Sequence, residues 1–305
     1  MKTNKKKLLL FGYLLLALAI SVKGQSYKED ASIIAEGYFS PLLEAFGTGL
    51  NQAWYNTAKT QKYHGLNLTL SVTNISVPTF YYIDNTRLTT IERLDGNRGN
   101  ARSGDVPSIF GTSEAHYYRD LTTQQQFKGD SGINQPALIS MIQVGWGISA
   151  DTELKLRYIP SLNLFGVGIM HDVKQYFPSL QSRHFDFSVF AAYTQMSVSS
   201  PSNKGGSLDS KAVNIQGLIS KQFLKFITGY LGLGYNIATS SYETQNYSLG
   251  FGPPIPINFS VSSNEPRATF GLRLKYSFVN LQMDLTLQKN PSLTLGLGIS
   301  GKERK

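Results

Sequence analysis

Cysteine is absent from the 305-residue sequence, and long hydrophobic runs are nearly absent. The lack of cysteine excludes a disulfide-stabilised secreted scaffold, a thiolate metal site and a cysteine nucleophile. After the N-terminal residues, no stretch approaches the roughly eighteen consecutive apolar residues that a transmembrane helix needs. Stability must therefore come from the packing or pairing of other elements.

Recognisable enzyme motifs are also lacking. No GxSxG nucleophile elbow occurs, and no histidine pair has the spacing of metal ligands. We therefore expect a protein that is not an enzyme, with no catalytic residues, no metal and no cofactor. The histidines in question are His64, His116, His171 and His184.

The N-terminus has the layout of a secretory signal. Four lysines lie within Met1–Lys7, Leu8–Ile20 is almost entirely apolar, and small residues surround Gly24. This order of segments predicts export with cleavage after residues 1–24. The alternative is a membrane anchor, but about thirteen apolar residues are too short to span a hydrocarbon layer of roughly 30 Å.

The basic character of the chain is partly a property of this segment. The formal charge is +9, and the signal contributes five lysines and no acid, so the mature chain carries 9 − 5 = +4. No clustered basic helix accompanies this modest charge. We therefore expect no nucleic-acid partner.

Strict alternation of apolar and polar residues is the dominant pattern. Leu66, Leu68 and Leu70 alternate with Asn67 and Thr69, for example. This period of two predicts half-buried β-strands. The predicted strands are ten, at 66–77, 137–148, 152–159, 162–171, 184–198, 210–221, 224–238, 267–278, 279–289 and 292–299.

Two folds share this alternation. In a soluble sandwich the apolar face lies in a core, whereas in a transmembrane barrel it faces lipid and the polar face lines the lumen. Aromatics near strand ends, such as Tyr158, Tyr193, Tyr276 and Phe278, favour the barrel because they suit a membrane interface. Short turns at 149–152, 222–224 and 290–292 and long connections at 78–135, 199–210 and 239–267 favour it too.

The prediction is thus an all-β, antiparallel transmembrane β-barrel formed by residues 61–300. Its ten strands are a minimum within a range of about ten to fourteen, since 78–135 or 239–266 could hide a further hairpin. We expect seven charged side chains to face the lumen and to pair there, because an unpaired charge in a dry lumen is costly. They are Glu153, Lys155, Arg157, Asp186, Arg273, Lys275 and Asp284.

Residues 25–60 precede the first strand and look helical. Asp30–Phe39 has apolar residues at helical spacing, and Ser40-Pro41 resembles an N-cap followed by proline at the start of a second helix. The segment is predicted to plug the barrel or, alternatively, to rest on its rim. The apolar side chains of this plug are Ile33, Ile34, Tyr38, Leu42, Leu43 and Phe46.

The stretch LFGVGIMHDVKQYFPSL changes from an apolar strand into a polar turn. We interpret its second half as a turn at the inner rim, where Asp172 caps a short helical turn, Pro178 helps to end it and aromatics lie at the interface. The alternative is a site built from His171, Asp172 and Lys174. The residues of this inner-rim turn are His171, Asp172, Lys174, Tyr176 and Pro178.

Several segments resemble a family of Bacteroidota outer-membrane barrels with no assigned function. They include SPLLEAFGTGLNQAWYNTAKTQK, GWGISADTELKLRYIP, FGVGIMHDVKQYFP, GLISKQFLKFITGYLGLGYN and RATFGLRLKYSF. That family is distantly similar to FadL-type long-chain fatty-acid transporters, which pair a barrel with an N-terminal hatch. The resemblance implies an outer-membrane location, contact with outer-membrane lipid and assembly by the barrel-assembly machinery.

The C-terminus departs from the pattern of such barrels, which usually finish on an aromatic residue that the assembly machinery reads. Here Ile299 and Ser300 are followed by the basic tail 301–305.

Two functions follow as hypotheses. One is passive, FadL-like passage of a small hydrophobic or amphipathic solute. The other is a structural or adhesive role for the long outer loops, notably Tyr81–Lys128, without transport.

Overall fold

The computed structural model describes residues 27–96, 99–182, 184–199, 206–250, 252–301 and 303. The predicted signal segment 1–24 and most of the basic tail lie outside the described residues. Fifteen strands are assigned within the described part of the chain. They are β1 Leu66–Ile75, β2 Phe80–Ile83, β3 Ile91–Leu94, β4 Gly104–Pro107, β5 Tyr117–Asp120, β6 Gln126–Lys128, β7 Ala137–Gly147, β8 Thr152–Ile159, β9 Leu164–Asp172, β10 Asp186–Ser199, β11 Ser207–Leu224, β12 Ile227–Tyr247, β13 Ile255–Tyr276, β14 Val279–Leu287 and β15 Ser292–Ser300.

Ten of these strands form a closed antiparallel barrel in the order β1-β15-β14-β13-β12-β11-β10-β9-β8-β7. The ring closes because β1 pairs on one side with β15 and on the other with β7, with Leu70 opposite both Leu297 and Ile142. Closure leaves no unpaired strand edge around the ring, which is the condition for a sheet to cross a membrane. The predicted fold class is confirmed.

The alternation of the sequence appears as two different barrel surfaces. Along β15, Leu293, Leu295, Leu297 and Ile299 are exposed on the outside, whereas Thr294 is fully buried inside. Leu274 and Leu285 are likewise exposed on the outside, about 46% and 45%, so the soluble-sandwich alternative is wrong. A strand of nine residues such as β14, tilted by about 40°, spans about 23 Å, close to the ~25 Å apolar band of membrane barrels.

The two ends of the barrel differ. One end, here called the C-terminal rim, carries Ser300 and the turns at 148–151, 173–185, 225–226 and 277–278. The opposite end, here called the loop rim, carries the short turns at 160–163 and 288–291. Exposed aromatic side chains gather at the C-terminal rim, as expected at a membrane–water interface. These aromatic residues are Tyr63, Trp146, Tyr176, Phe177, Phe223, Phe226, Tyr276 and Phe278.

The predicted loop at 239–267 is wrong in part, because β12 continues to Tyr247 and β13 begins at Ile255. The outward side chains there are polar, as shown by the hydroxyls of Thr239 and Ser262, which lie 3.2 Å apart. A strand that is polar on its outer face shows no apolar alternation, so the sequence pattern did not reveal it.

The chain divides into two compact units. Unit 1 comprises Met1–Phe39, Pro78–Asn134 and Gln245–Ile257, and unit 2 comprises Ser40–Val77, Gln135–Thr244 and Asn258–Lys305. Most of the barrel belongs to unit 2.

Unit 1 contains most of the connection predicted as a long loop, but that connection is folded. It holds the two-stranded sheet β2-β4 and the three-stranded sheet β3-β5-β6. Ile83, Ile91 and Leu94 are almost fully buried. The carboxylate of Asp30 accepts hydrogen bonds from the backbone N–H groups of Thr89, Thr90 and Ile91, which ties residues 89–91 to the helical segment of this unit.

The N-terminal helix, α1, covers residues 27–49 without interruption. The prediction of a break at Ser40-Pro41 is therefore wrong. Pro41 removes one backbone donor from the helix, but burial of neighbouring side chains outweighs that loss: Leu43 and Ala45 in unit 2 are almost fully buried. The border between the units falls directly before Ser40.

Candidate functional site

The lumen of unit 2 is occupied by residues 50–61, here called the plug segment. At the loop rim, Lys289 donates to Glu44 at 2.8 Å and Asn290 donates to the same carboxylate at 2.9 Å. At the C-terminal rim, the backbone N–H of His64 donates to Gly147 at 2.9 Å. The chain therefore crosses the whole barrel before β1 begins at the C-terminal rim.

Arg157 on β8 holds the first turn of the plug segment. Its guanidinium donates to the carbonyls of Leu50 at 3.1 Å and Gln52 at 2.6 Å, and to the side chain of Gln143 at 3.0 Å. The same group lies 3.6 Å from the ring centroid of Trp54, a cation–π contact. Arg157 is 1% exposed, so these groups replace the water that the cation has lost.

Arg267 on β13 holds the same turn from another part of the wall. It donates to the carbonyl of Asn51 and to the side-chain oxygen of Gln52, both at 2.9 Å. Asn51 also donates to the carbonyl of Val213 at 2.9 Å and receives a hydrogen bond from Asn214. Arg267 was not among the predicted lumen charges, because it lay at the boundary between the predicted 239–267 connection and the predicted strand 267–278.

An aromatic cluster fixes the middle of the plug segment. Trp54 and Tyr55 pack against Phe190 with ring centroids 5.7 Å away in each case, and Tyr55 lies 6.0 Å from Tyr230. The side-chain hydroxyl of Tyr55 donates to Gln216. The buried members of the cluster are Trp54, Tyr55, Ala58, Met170, Phe190, Ala192, Leu218 and Tyr230.

Glycines on the lumen side of the wall make room for these rings. A Cβ atom on Gly166 or Gly168 would lie 3.2 or 3.1 Å from Trp54, and one on Gly232 would collide with the hydroxyl of Tyr55. The Gly-rich strand before His171 is thus explained by the close approach of a large side chain.

Ion pairs close the lumen at the C-terminal rim. Lys155 donates to Glu153 at 2.6 Å, and the same carboxylate accepts from the backbone of Gln61 at 3.1 Å. Glu303 in the tail accepts from both Arg273 and Lys275. Burial alone would raise the pKa of the Glu303 carboxyl, but Arg273 and Lys275 together hold that pKa below its usual value.

The seven predicted lumen charges all lie on barrel strands with side chains directed inward, but their predicted pairing is largely wrong. Only Lys155 and Glu153 pair as expected, since Arg157 uses carbonyl groups and Arg273 and Lys275 use Glu303. Asp284 accepts from Tyr230 at 3.0 Å, and Asp186 accepts from Ser220 at 3.4 Å. The pairing rule failed because it assumed a lumen lined by the wall alone, whereas the plug segment and the tail supply most partners.

The space left between plug and wall is small. A polar cavity beside Gln61, Arg273 and Gln282 has a volume of about 10 Å³, which is about the space of one water molecule. Around it, no partner among the described residues reaches either polar atom of Gln282 or the side-chain oxygen of Gln61. Water is the natural partner for such groups. At this level of the barrel, the plug segment and its partners therefore occupy most of the lumen.

The predicted plug residues lie on α1 rather than in the middle of the lumen. Ile33, Ile34 and Tyr38 belong to unit 1, where Tyr38 donates to the carbonyl of Ser131 at 3.0 Å. The other three residues belong to the part of α1 in unit 2. There Leu43 is almost fully buried, whereas Leu42 and Phe46 are half-buried. The side chains that fill the lumen are mainly polar and aromatic, so an apolar helical stripe could not identify them.

The inner-rim residues form a turn at the C-terminal rim. The carboxylate of Asp172 accepts from the backbone N–H of Lys174 at 2.8 Å, at the start of the one-turn helix Lys174–Tyr176. The ring of His171 lies between Thr152 and Tyr176, at 2.9 and 3.0 Å. Pro178 begins the short helix α2, Pro178–Gln181, instead of ending the previous turn. These contacts account for the polar residues as turn and cap.

The described residues contain no group of three or more histidine, aspartate or glutamate side chains placed to hold a metal ion. None of the helices in that part of the chain has the length and apolar character needed to cross a membrane.

A closed barrel with an apolar exterior and a polar lumen occupied by the plug segment defines the class as a transmembrane β-barrel. The chain belongs to the family of unknown function DUF6588, whose model matches residues 1–301. No curated protein matches the sequence.

Among solved structures, the chain resembles Ail, the attachment invasion locus protein of Yersinia pestis, with 8% identity, 78% of this chain and 99% of that chain covered, and a TM-score of 0.31. The N-terminal β-barrel domain of Pseudomonas aeruginosa OprF gives 10% identity, 79% and 100% coverage and a TM-score of 0.26. The P. putida toluene transporter TodX gives 11% identity, 79% of this chain and 68% of that chain covered, and a TM-score of 0.23. At these values none of the likenesses bears on function.

Proposed function

We propose that the protein resides in a bacterial outer membrane, exported by residues 1–24 and inserted by the barrel-assembly machinery. The apolar exterior and the aromatic residues of the C-terminal rim support this location, because both fit a lipid bilayer. The sequence resemblance to Bacteroidota barrels points the same way.

In that membrane, we infer that the protein acts as a sealed anchor for unit 1, in a structural or adhesive role. The observation that carries this proposal is the occupied lumen, where two buried arginines and an aromatic cluster hold residues 50–61. Unit 1 is folded and exposes apolar side chains on one face of β2, with Tyr82 65% and Phe80 44% exposed. Exposed aromatic residues of this kind suit a partner surface.

Passage of a small hydrophobic or amphipathic solute is the second candidate, following the FadL-like resemblance. It is favoured by the unpartnered polar atoms of Gln61 and Gln282, because an interface with unsatisfied groups costs less to separate than a fully paired one. Because the plug segment occupies the lumen, this function requires that segment to move.

A disulfide lock separates the two candidates. A Cβ atom built on Gly47 lies 3.2 Å from the Cβ of Ala238, close to the separation of about 3.5–4.5 Å in disulfides, and the chain has no native cysteine. The variant Gly47→Cys/Ala238→Cys should tie the N-terminal segment to β12. The matched control, Ser210→Cys/Ser240→Cys, ties two wall strands whose paired hydroxyls lie 2.7 Å apart.

For the sealed anchor, we expect no solute flux through the wild-type protein in liposomes and no change on oxidation or reduction of either variant. Replacement of residues 81–128 by a short Gly-Ser linker should abolish attachment of expressing cells to coated surfaces while the barrel stays folded. Flux in the wild type that is lost only in the oxidised Gly47→Cys/Ala238→Cys variant would overturn the anchor proposal in favour of gated passage.

A further inference from the structure

A groove on the outer surface of the barrel crosses β11 to β15 and reaches the C-terminal rim at β11 and β12. Its volume is about 640 Å³, within the range of about 300–1,000 Å³ that is typical of small-molecule pockets. The side chains that line its outer surface are almost all apolar and include Ile219, Leu231, Phe270, Leu272, Met283 and Leu285. A hydrocarbon chain in the groove would therefore contact apolar side chains from several strands rather than from one.

A glycine opens the end of this groove that is nearest the rim. Gly229 faces outward opposite Lys221, and the ring of Phe223 covers it, since a Cβ atom there would lie 2.6 Å from that ring. Lys221 is exposed, and its ammonium group lies 5.9 Å from the centroid of the same ring. An aromatic floor and a cation thus meet where the apolar groove reaches the polar rim.

A second cation lies in the adjoining turn. The exposed Lys225 is in the tight turn between β11 and β12, where its carbonyl accepts from the side chain of Gln222 at 2.9 Å. The carbonyl of Phe226 accepts from the backbone N–H of Lys275 at 2.8 Å, which ties this turn to β13. The turn is therefore held in place by its neighbours.

Carboxylates do not offset these lysines locally. The two turn sequences KQFLKFIT, 221–228, and KYSFVN, 275–280, contain no aspartate or glutamate. Asp284 borders the groove from the lumen side only, where it accepts a hydrogen bond from Tyr230 and is 3% exposed. Lys275 is committed to Glu303 at 2.8 Å. Among the described residues, neither Lys221 nor Lys225 makes an ion pair, so both present positive charge beside an apolar groove.

We propose that this groove is a binding site for an anionic phospholipid. The acyl chains lie along Ile219, Leu231 and Leu272, and Lys221 and Lys225 bind the phosphate of the headgroup. Charge complementarity selects this occupant, because basic residues at the membrane surface attract anionic lipids, whereas an apolar groove alone would not distinguish one lipid from another. The proposal rests on the membrane location proposed above and adds a specific lipid to it.

The test is native mass spectrometry of the full folded chain with equimolar phosphatidylglycerol and phosphatidylcholine of identical acyl chains. We expect the wild type to retain phosphatidylglycerol preferentially. Each lysine removed should weaken that retention about 5-fold, since one basic residue near the surface contributes about 1 kcal/mol. The variants are Lys221→Gln, Lys225→Gln and their combination.

The matched control is Lys211→Gln, which removes an exposed lysine from the same outer face of β11 at its other end. It should leave lipid retention unchanged. Leu231→Trp keeps both lysines but fills the groove, and it should reduce retention of both lipids. Equal retention in the double-lysine variant and the wild type, no preference for phosphatidylglycerol in the wild type, or an equal loss in the Lys211→Gln control would overturn the lipid site.

Failure of the membrane location would look different. A chain that does not float with phosphatidylglycerol–phosphatidylcholine vesicles and whose electrophoretic mobility does not change on boiling is not a membrane barrel at all. A chain that floats and shifts but fails the mass-spectrometric test is a membrane barrel without this site.

Discussion

At the scale of single residues, the packing of the lumen depends on buried side chains that donate hydrogen bonds to backbone carbonyl groups instead of to water. Arg157 has no carboxylate partner and instead donates to Leu50 and Gln52. A planar guanidinium with five donors can satisfy several carbonyl groups at once, which lysine cannot do. The role of this residue is therefore to fix the turn that starts the plug segment.

We predict that Arg157→Ala destabilises the closed lumen by about 2–4 kcal/mol, because two buried carbonyl groups lose their donors and Trp54 loses its cation–π contact. Arg157→Lys should recover only part of this loss. The measurement is urea unfolding in vesicles followed by the fluorescence of Trp54, in a background where the only other tryptophan, Trp146, is replaced by phenylalanine.

The control for this prediction is Arg102→Ala, at a side chain 72% exposed, which should change the free energy of unfolding by less than about 0.5 kcal/mol. An Arg157→Ala variant as stable as this control would show that the plug segment does not depend on the guanidinium.

At the scale of elements, the small sheets of unit 1 depend on buried groups that prefer to be neutral. His116 directly precedes β5, and its carbonyl accepts from the N–H of Gly129 at 3.0 Å, just after β6. Burial, and then the nearby charges of Arg93 and Lys128, lower the pKa of His116 to about 4. Burial raises the pKa of Asp130, against a hydrogen bond from Tyr247.

The sign of the pH dependence follows from these directions. In unfolded chain, His116 titrates near its usual value of about 6.5, so the unfolded state binds more protons between about pH 6.5 and 4, and stability falls as pH falls through that window. The raised pKa of Asp130 acts in the opposite sense, since its protonated form is favoured in the folded unit and its contribution is lost as pH rises through that pKa.

We predict that amide protection in β5 and β6 decreases between pH 7 and pH 4.5, measured by hydrogen exchange. His116→Gln should remove most of this dependence, because glutamine cannot take up a proton. The amides of β14 and β15 serve as an internal reference. A wild-type protein whose β5 and β6 protection does not change relative to that reference would contradict the prediction.

At the scale of the whole molecule, segments on both sides of the barrel strands close the lumen together. The plug segment, before β1, fills the lumen, and Glu303, after β15, pairs with Arg273 and Lys275. A bridge between Gln61 and Glu303 joins the two segments. Glu303 thus has a local role in neutralising two cations.

We predict that Glu303→Gln weakens the seal at the C-terminal rim, because Arg273, 3% exposed at its side chain, loses its counter-charge. The expected result is faster proteolysis around residues 59–65 in detergent-solubilised protein, with unchanged barrel mobility in gels. The effect should appear in the wild type only in acid, since the lowered pKa of Glu303 keeps it ionised until the pH falls below its usual range.

A matched change of an exposed pair, Asp95→Asn in the Asp95–Arg102 contact of unit 1, should have no such effect. If Glu303→Gln and Asp95→Asn are proteolysed alike, the tail does not contribute to the seal.

The amino-acid sequence by itself determined the antiparallel barrel strands outside 239–266 and the side of each of these strands that faces outward. Alternation is a local property of neighbouring residues, because successive side chains of a strand point to opposite faces. The spacing alone therefore places Leu293, Leu295, Leu297 and Ile299 on one face. The turn after β9 was also predictable in part, because the carboxylate of Asp172 acts on the backbone N–H of Lys174 only two residues away, whereas Pro178 begins α2 instead of ending that turn.

Only the tertiary structure decided what lies inside the barrel. The plug-segment partners of Arg157 and Arg267 lie more than 100 residues away along the chain. Glu303, the partner of Arg273, lies 30 residues away, so no local pattern could assign these contacts. The same holds for Gly166 and Gly168, whose lack of a side chain matters only because Trp54 crosses the lumen beside them. A polar group buried in the lumen needs a hydrogen-bond partner that is close in space, wherever it lies along the chain. Unlike strand alternation, this requirement produces no periodic pattern in the sequence.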